Sequence, residues 1–376
     1  MKEKIFVLGG SPLQRDLIEK AKVNYHTVLI DGNDNCALRD EADEFHQLDF
    51  SDIEKLHDLA ISVRPKLILT MANEQGNLSA AVVSKRLGLK YNDPEVVFST
   101  VNKKAMKLVM NKNNIPTSDY IAIDSTETHF SLEKLQSFPL VVKPSHSSGG
   151  RGVKLVSNES ELNEAVENAK LLSRDGCALI EDFIKGRQYS VETITCNYKH
   201  SIIGITNEYF GKPPNFAETQ QLFPSDIDEP TKLKVHKFII NILDCFKIQY
   251  GACHIEFRIN PNGEFYLIEI ASRIGGWRSE LINNALGLEY ADLLLKSYEK
   301  EQLNIQPKFN NYSIVKMIFN KDDYSFYKKL SNDQKFTLTE ISWLKEEFAP
   351  TQSSLMDSSG FYFITTRNLK DALNVI

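Results

Sequence analysis

The stretch Phe138-Pro-Leu-Val-Val-Lys-Pro-Ser-His-Ser-Ser-Gly-Gly-Arg-Gly-Val153 constrains the fold more than any other part of the chain. Its apolar run ends at Lys143 and Pro144, which reads as a short buried strand delivering a cation into a loop of small residues. Ser147, Ser148, Gly149, Gly150 and Gly152 leave their backbone N–H groups unobstructed, so these donors can converge on an anion such as a polyphosphate, with Lys143 adding a point charge. The glycines by themselves fit an ordinary hairpin turn equally well. The loop has neither the Gly-Lys-Ser/Thr ending of a Walker loop nor a dinucleotide fingerprint, so its partners elsewhere in the chain must decide.

A chain of 376 residues has room for two or three domains, and 42% hydrophobic with 25% charged residues is an ordinary globular balance. A formal net charge of -6 argues against a general nucleic-acid binder, because phosphate-backbone binding needs a basic surface. The apolar run at residues 5–8 is too short for a signal-peptide core or a membrane span, so a cytoplasmic protein without a membrane partner is expected. Five cysteines in no CxxC spacing read as reduced thiols rather than a zinc or disulfide framework.

Residues 5–8, the turn Gly9-Gly10-Ser11, and helical spacing of Leu13, Leu17, Ile18 and Ala21 make a β-α unit. Further strands at 28–30 and 66–70, with a helix at 53–61 between them, predict a doubly wound α/β region over roughly the first hundred residues. Ligands bind at the C-terminal strand ends of such sheets, where Gly10, Ser11 and Glu74 fall, although each taken singly reads first as a turn or helix-start residue. Lys103, Lys104 and Lys107 punctuate apolar residues over 102–111, which predicts a helix with a basic, solvated side. An α+β portion follows, with an amphipathic helix over 160–172 capped by Ser160. Strands at 178–184 and 188–195 flank Lys185-Gly186, and the segment beside Phe183 and Ile184 offers backbone groups to a flat heterocycle. A plain hairpin explains that segment equally well.

Residues 252–260 alternate apolar and polar, turn at Pro261-Asn262-Gly263, and return over 264–273, a hairpin signal. Pairing Asn260 with Gly263 puts His254 opposite Glu269 and makes Glu256 the diagonal neighbour of Glu269, about 7–8 Å away at the backbone. Two such carboxylates repel unless they share a cation, and hard oxygen ligands suit Mg²⁺. The same register assigns Ile255, Phe257, Ile259, Tyr266, Ile268 and Ile270 to the buried face, leaving Phe265 and Leu267 on the carboxylate side. Arg273 follows on the Glu269 face, placed to stabilise charge developing in a phosphoryl or acyl transfer.

Taken together, these motifs resemble the ATP-grasp superfamily from residue 1 to about 300. The resemblance makes Lys103 and Lys143 the nucleotide-binding lysines and Ser148, Gly149, Gly150 and Gly152 part of the loop over the phosphates. It makes Glu181, Phe183 and Ile184 the adenine-holding segment, Glu256 and Glu269 the metal ligands, and Arg273, with Lys143, catalytic. Gln188 stands where the family often has a glutamate for the ribose, and Ala271 where many members have a metal-binding asparagine. Gly10, Ser11, Glu74, Arg258, Arg273, Gly276 and Arg278 are the expected substrate contacts.

The implied fold is α/β and α+β multidomain. A doubly wound parallel N-terminal domain spans 1–100, and an ATP-grasp domain spans 101–300 with its lid at about 115–190. A small β-rich C-terminal domain, as in the biotin-carboxylase-like branch, spans 301–376. The implied cofactors are ATP and Mg²⁺, with Mn²⁺ an alternative, and the partners are small-molecule substrates and a second copy in a homodimer. The implied activity is ATP-dependent carboxylate-amine ligation through an acyl phosphate, resembling L-amino-acid ligases. Alternatives are a purine-biosynthesis-type carboxylase or formyltransferase, a phosphotransferase, and a nucleotide-binding protein without turnover.

Overall fold

Continuous apolar runs, as a sheet covered on both faces requires, build the first of the three sheets among the described residues. Strands β1 (Lys4–Leu8), β2 (His26–Asp31), β3 (Glu44–Gln47) and β4 (Leu67–Leu69) are parallel and ordered β3-β2-β1-β4. The short polar β3 escaped sequence prediction because Glu-Phe-His-Gln carries no apolar run. Helices Ile53–Val63 and Glu74–Leu87 start where Asp52 and Asn73 accept hydrogen bonds from the N–H groups of Lys55 and Gly76. The computed structural model describes residues 2–127, 129–212, 216–343, 345, 348 and 354–376.

The second sheet holds β5 (Tyr120–Ile123), β6 (Leu140–Pro144), β7 (Lys154–Val156) and β8 (Ala178–Asp182), antiparallel in the order β5-β8-β6-β7. Helix Glu159–Leu172 packs Leu162, Ala165, Val166 and Ala169 against it. Its cap is Asn158, which accepts from the Glu161 N–H; the expected cap Ser160 instead donates its hydroxyl to Asn158 at 2.5 Å.

The third sheet is antiparallel and contains β9 (Arg187–Cys196), β10 (Lys199–Phe210), β11 (Glu218–Phe223), β12 (Tyr250–Ile259), β13 (Phe265–Ala271), β14 (Tyr312–Ile318), β15 (Thr337–Leu338) and β16 (Gly360–Thr366). Its order is β13-β12-β9-β10-β11-β14-β16-β15, so the strands after residue 300 continue the same sheet through the β11–β14 pairing. Ile5, Val7, Leu29 and Leu69 of the first sheet share one core with Ile194, Leu281, Leu294 and Val315 of the large sheet and its helices. Among the described residues, no helix is long and apolar enough to cross a membrane.

Strands β8 and β9 belong to different sheets, which removes the hairpin alternative for residues 178–195. The chain crosses between sheets at Gly186, where φ is 139° and an added Cβ would lie 2.1 Å from the Ile259 carbonyl oxygen. That atom is backbone and has little freedom to yield. Gly186→Ala is therefore expected to destabilise the fold by roughly 2–4 kcal/mol, read as a lower urea midpoint at unchanged m-value.

Candidate active site

The large sheet sorts its side chains by alternation. Tyr189, Val191, Ile205, Cys253, Ile255 and Phe257 enter a core covered by Met106 and Met110 of helix Lys103–Lys112 and by helix Glu229–Cys245. The intervening positions carry polar groups, set in rows by the register: Arg258, Gln188 and Glu208; Glu256 and Ser190; His254 and Glu192.

This polar face borders a cavity of about 600 Å³. Around it the structure gathers Lys103, Lys143, Ser148, Gly149, Gly150, Glu181, Phe183, Ile184, Gln188, Glu256 and Glu269 with Ser11, Glu74, Arg258, Arg273, Gly276 and Arg278. Gly10 and Gly152 lie outside the lining. Gly10 donates its N–H to Asp31 at 2.6 Å, and a Cβ there would sit 2.3 Å from Cys36 Sγ. Gly152, at φ 79°, packs on Pro144 and Leu172 and so anchors the base of the loop.

The hairpin register differs from the expected one. Near the turn Ile259 faces Phe265 and Phe257 faces Leu267; a bulge then absorbs Ile268, and beyond it Glu256 lies directly opposite Glu269 and His254 opposite Ala271. The extra residue returns both carboxylates to one face, which the turn-proximal register alone would have denied them. The turn-proximal register also reverses part of the expected burial. Leu267 and Phe265 pack with Phe257 in the core, whereas Ile268 lines the cavity and Tyr266 is half-buried.

Lys103 opens its helix directly after the Asn102 cap, and its Nζ meets the Ser147 carbonyl at 3.0 Å and Glu269 Oε2 at 3.3 Å. The ammonium thus bridges the glycine loop and the acidic hairpin. Lys143, at the end of β6, pairs with Glu181 at 2.7 Å, and the other Glu181 oxygen meets Lys107 at 3.2 Å and accepts from Ser118 at 2.7 Å. The expected solvated basic face is therefore corrected at Lys107, which is 2% exposed. Its side chain also donates to Thr117 and Ser118, and those partners sit beyond the reach of a helical-periodicity argument.

Burial would raise the Glu181 carboxyl, but Lys107 and Lys143 overcome it and hold the group at about 2. Burial lowers Lys107 to about 8 against the pull of Glu181. The signs differ in consequence. Glu181 contributes stability that is complete above pH 4.5 and is lost as pH falls toward 2, while the Lys107 penalty is fully present below pH 8 and fades toward 10.5. Lys107→Met is expected to cost about 1–3 kcal/mol at pH 7 and to shift the acid loss of stability to higher pH, measured by urea unfolding in steps from pH 7 to pH 3.

Arg273, just past β13, forms an ion pair with Glu74 at the start of helix Glu74–Leu87, tying the large sheet to the N-terminal sheet's helix. Arg258 donates to Gln188 at 3.0 Å and to the Ile184 carbonyl at 2.7 Å, and its guanidinium lies 5.0 Å from the Phe183 ring centre. Gln188 in turn donates to both Glu208 and Glu256 at 2.9 Å. Arg278 is 1% exposed and donates to Glu208 at 2.7 Å and Ser190 at 3.0 Å.

Sequence reasoning missed Glu192 and Glu208. The signal was present in the Gln188, Ser190, Glu192 alternation inside an otherwise apolar strand. Burial lowers the His254 imidazole, but Glu192 at 2.5 Å, followed by Glu256 at 3.3 Å, holds it up to about 10. Burial and repulsion from Glu208 push Glu218 up to about 8, and Glu208 is raised by burial and by Glu256. Glu208, His254 and Glu256 each present one atom within 4.8 Å of the others, and His254, held protonated, acts there as the charge partner of the carboxylates. Two facing carboxylates, Glu256 met by the Gln188 amide and the His254 ring and Glu269 met by the Lys103 ammonium, offer the hard oxygen ligands that suit a divalent cation.

Residues 136–280 match the sequence profile of the ATP-grasp domain. Alanine–anticapsin ligase of Bacillus subtilis is 28% identical over 250 residues, 60% of this chain and 52% of that protein. The chain spans about half the length of the curated relatives it matches. L-amino acid ligase from Bacillus licheniformis superposes with a TM-score of 0.82 over 99% of this chain and 95% of that one, at 18% identity. N5-carboxyaminoimidazole synthetase from Staphylococcus aureus, solved with ADP, gives 0.77 over 100% and 96% at 19% identity. The domain implies ATP binding, and its family consists mostly of ATP-dependent ligases. The chain thus carries an ATP-grasp domain over residues 136–280, is distantly similar in sequence to alanine–anticapsin ligases and shares the fold of an L-amino acid ligase.

Proposed function

We propose that the protein is an ATP-dependent carboxylate-amine ligase acting on amino acids. The observation that carries this reading is the single cavity that unites Glu256 and Glu269, Lys103 and Lys143, the glycine loop and Arg273. Lys103, Lys143 and the N–H groups of the loop bind and orient the triphosphate, and Phe183 and Ile184 border the base. Glu256 and Glu269 would hold Mg²⁺ or Mn²⁺, which supplies charge neutralisation along the phosphates. A substrate carboxylate oxygen attacks the γ-phosphorus and ADP leaves, giving an acyl phosphate. An amine then attacks the acyl carbon, phosphate leaves with that oxygen, and the amine loses a proton as the amide forms. Arg273 neutralises charge on the transferring group.

The amino-acid assignment draws on the far side of the cavity. Glu208 and Glu218 both line it, and Arg278 is the cation that faces them, at 2.7 and 3.7 Å. One Glu218 oxygen is buried without a hydrogen-bond partner among the described residues, and a substrate ammonium would satisfy it. The test is isotopic. An amino acid labelled with ¹⁸O in its carboxylate should transfer one label to the released phosphate for each amide formed; unlabelled phosphate accompanying amide would exclude the acyl phosphate.

A further inference from the structure

Beside Arg273 and the buried carboxylates, the same cavity is lined by a group of apolar side chains, with Lys345 and Ser358 among them. Leu13, Ala72, Trp277, Trp343 and Leu355 line it, drawn from the turn after β1, the end of β4, the start of helix Arg278–Leu286 and the segment between β15 and β16. Trp277 and Trp343 are the two tryptophans of the whole chain. Their ring centres lie 6.5 Å apart, and Phe361 meets both, at 5.4 Å from Trp277 and 4.9 Å from Trp343 in edge-on contacts. Ser342 exchanges two backbone hydrogen bonds with Phe361, at 2.8 and 3.1 Å, so the residue before Trp343 is pinned to the large sheet.

Packing by itself does not account for this wall. Trp343 lines the cavity with 44% of its surface exposed, although a tryptophan that served only to fill a core would be covered. Both tryptophans also hold left-handed backbones, φ 60° at Trp277 and 59° at Trp343, a conformation a bulky side chain enters at a cost. The indole N–H of Trp277 is buried with no partner among the described residues. A large apolar surface is thus held, under backbone strain, in the cavity that Arg273 also lines.

We infer that Trp343 is a specificity-determining residue, and that the acid activated at this site carries a bulky apolar side chain, branched aliphatic or aromatic, seated against it. The inference rests on the ligase reading for the location of the acid. Apolar pockets discriminate by area, so each added methylene favours the larger acid and glycine is the poorest member of a series.

The two tryptophans supply a probe that needs no turnover. Glycine, alanine, leucine and phenylalanine would be titrated into the full chain with MgADP present, following intrinsic emission, and kcat/KM would be measured for the same series with ATP. Leucine or phenylalanine should bind and react at least tenfold better than glycine. Trp343→Ala should reduce that preference at least tenfold, and Trp343→Phe should restore most of it; retained MgADP binding reports that each variant is folded. Saturable emission changes favouring the bulky acids, without turnover, would keep the pocket assignment and overturn the ligase reading. Turnover with no size preference, or a preference unmoved by Trp343→Ala, would overturn the role of Trp343 and leave the ligase reading intact. No binding by any member of the series overturns the pocket assignment.

Discussion

On the proposed ligase reading, Glu269→Gln is expected to lower ATP-dependent product formation by about three orders of magnitude while the fold survives. The substitution keeps the shape of a side chain that faces Glu256 across the β12–β13 ladder, and it removes one of the two charges that suit a divalent cation. Lys103 keeps its 3.0 Å contact with the Ser147 carbonyl, so the glycine loop retains its tether. The measurement is the initial rate of ADP release over a Mg²⁺ titration. A protein that only binds nucleotide would lose metal-linked affinity and nothing else, and a rate within twofold of the parent would remove Glu269 from the machinery.

Arg273→Lys is expected to lower kcat by about 10²–10³-fold with a much smaller change in the KM for ATP. Lysine preserves a cation for Glu74, which burial would raise but which Arg273 holds below the usual carboxylate range. It does not preserve the planar fork that meets two oxygens of a transferring group. The conservative change therefore separates structural pairing from charge stabilisation. Unchanged kcat would leave Arg273 as a strut between the large sheet and the N-terminal helix.

What was legible in the chain was local. The strand ending at Lys143, the small-residue loop after it and the hairpin at 252–273 announced themselves through composition and period, and each lines or borders the cavity. The failures involve partners distant in sequence. Lys107 reads as solvated until β8 brings Glu181 beside it, and Gly10 reads as a ligand turn until Cys36 fills the space over its Cα. The bulge at Ile268 gives no periodic signal because it breaks the period, yet it decides which face Glu269 occupies. Nothing in residues 337–361 hints that Trp343 reaches the same cavity as Ser11, since that meeting depends on β14 to β16 extending the large sheet.

The most direct test of the ligase account is ADP and phosphate release from MgATP against amino acids offered singly and in pairs, with mass spectrometry of the products. Release that requires two amino acids, with a product equal to their summed mass less one water, is the predicted result. Release with a single compound, yielding a product heavier by one phosphoryl group, would contradict it and make the protein a phosphotransferase.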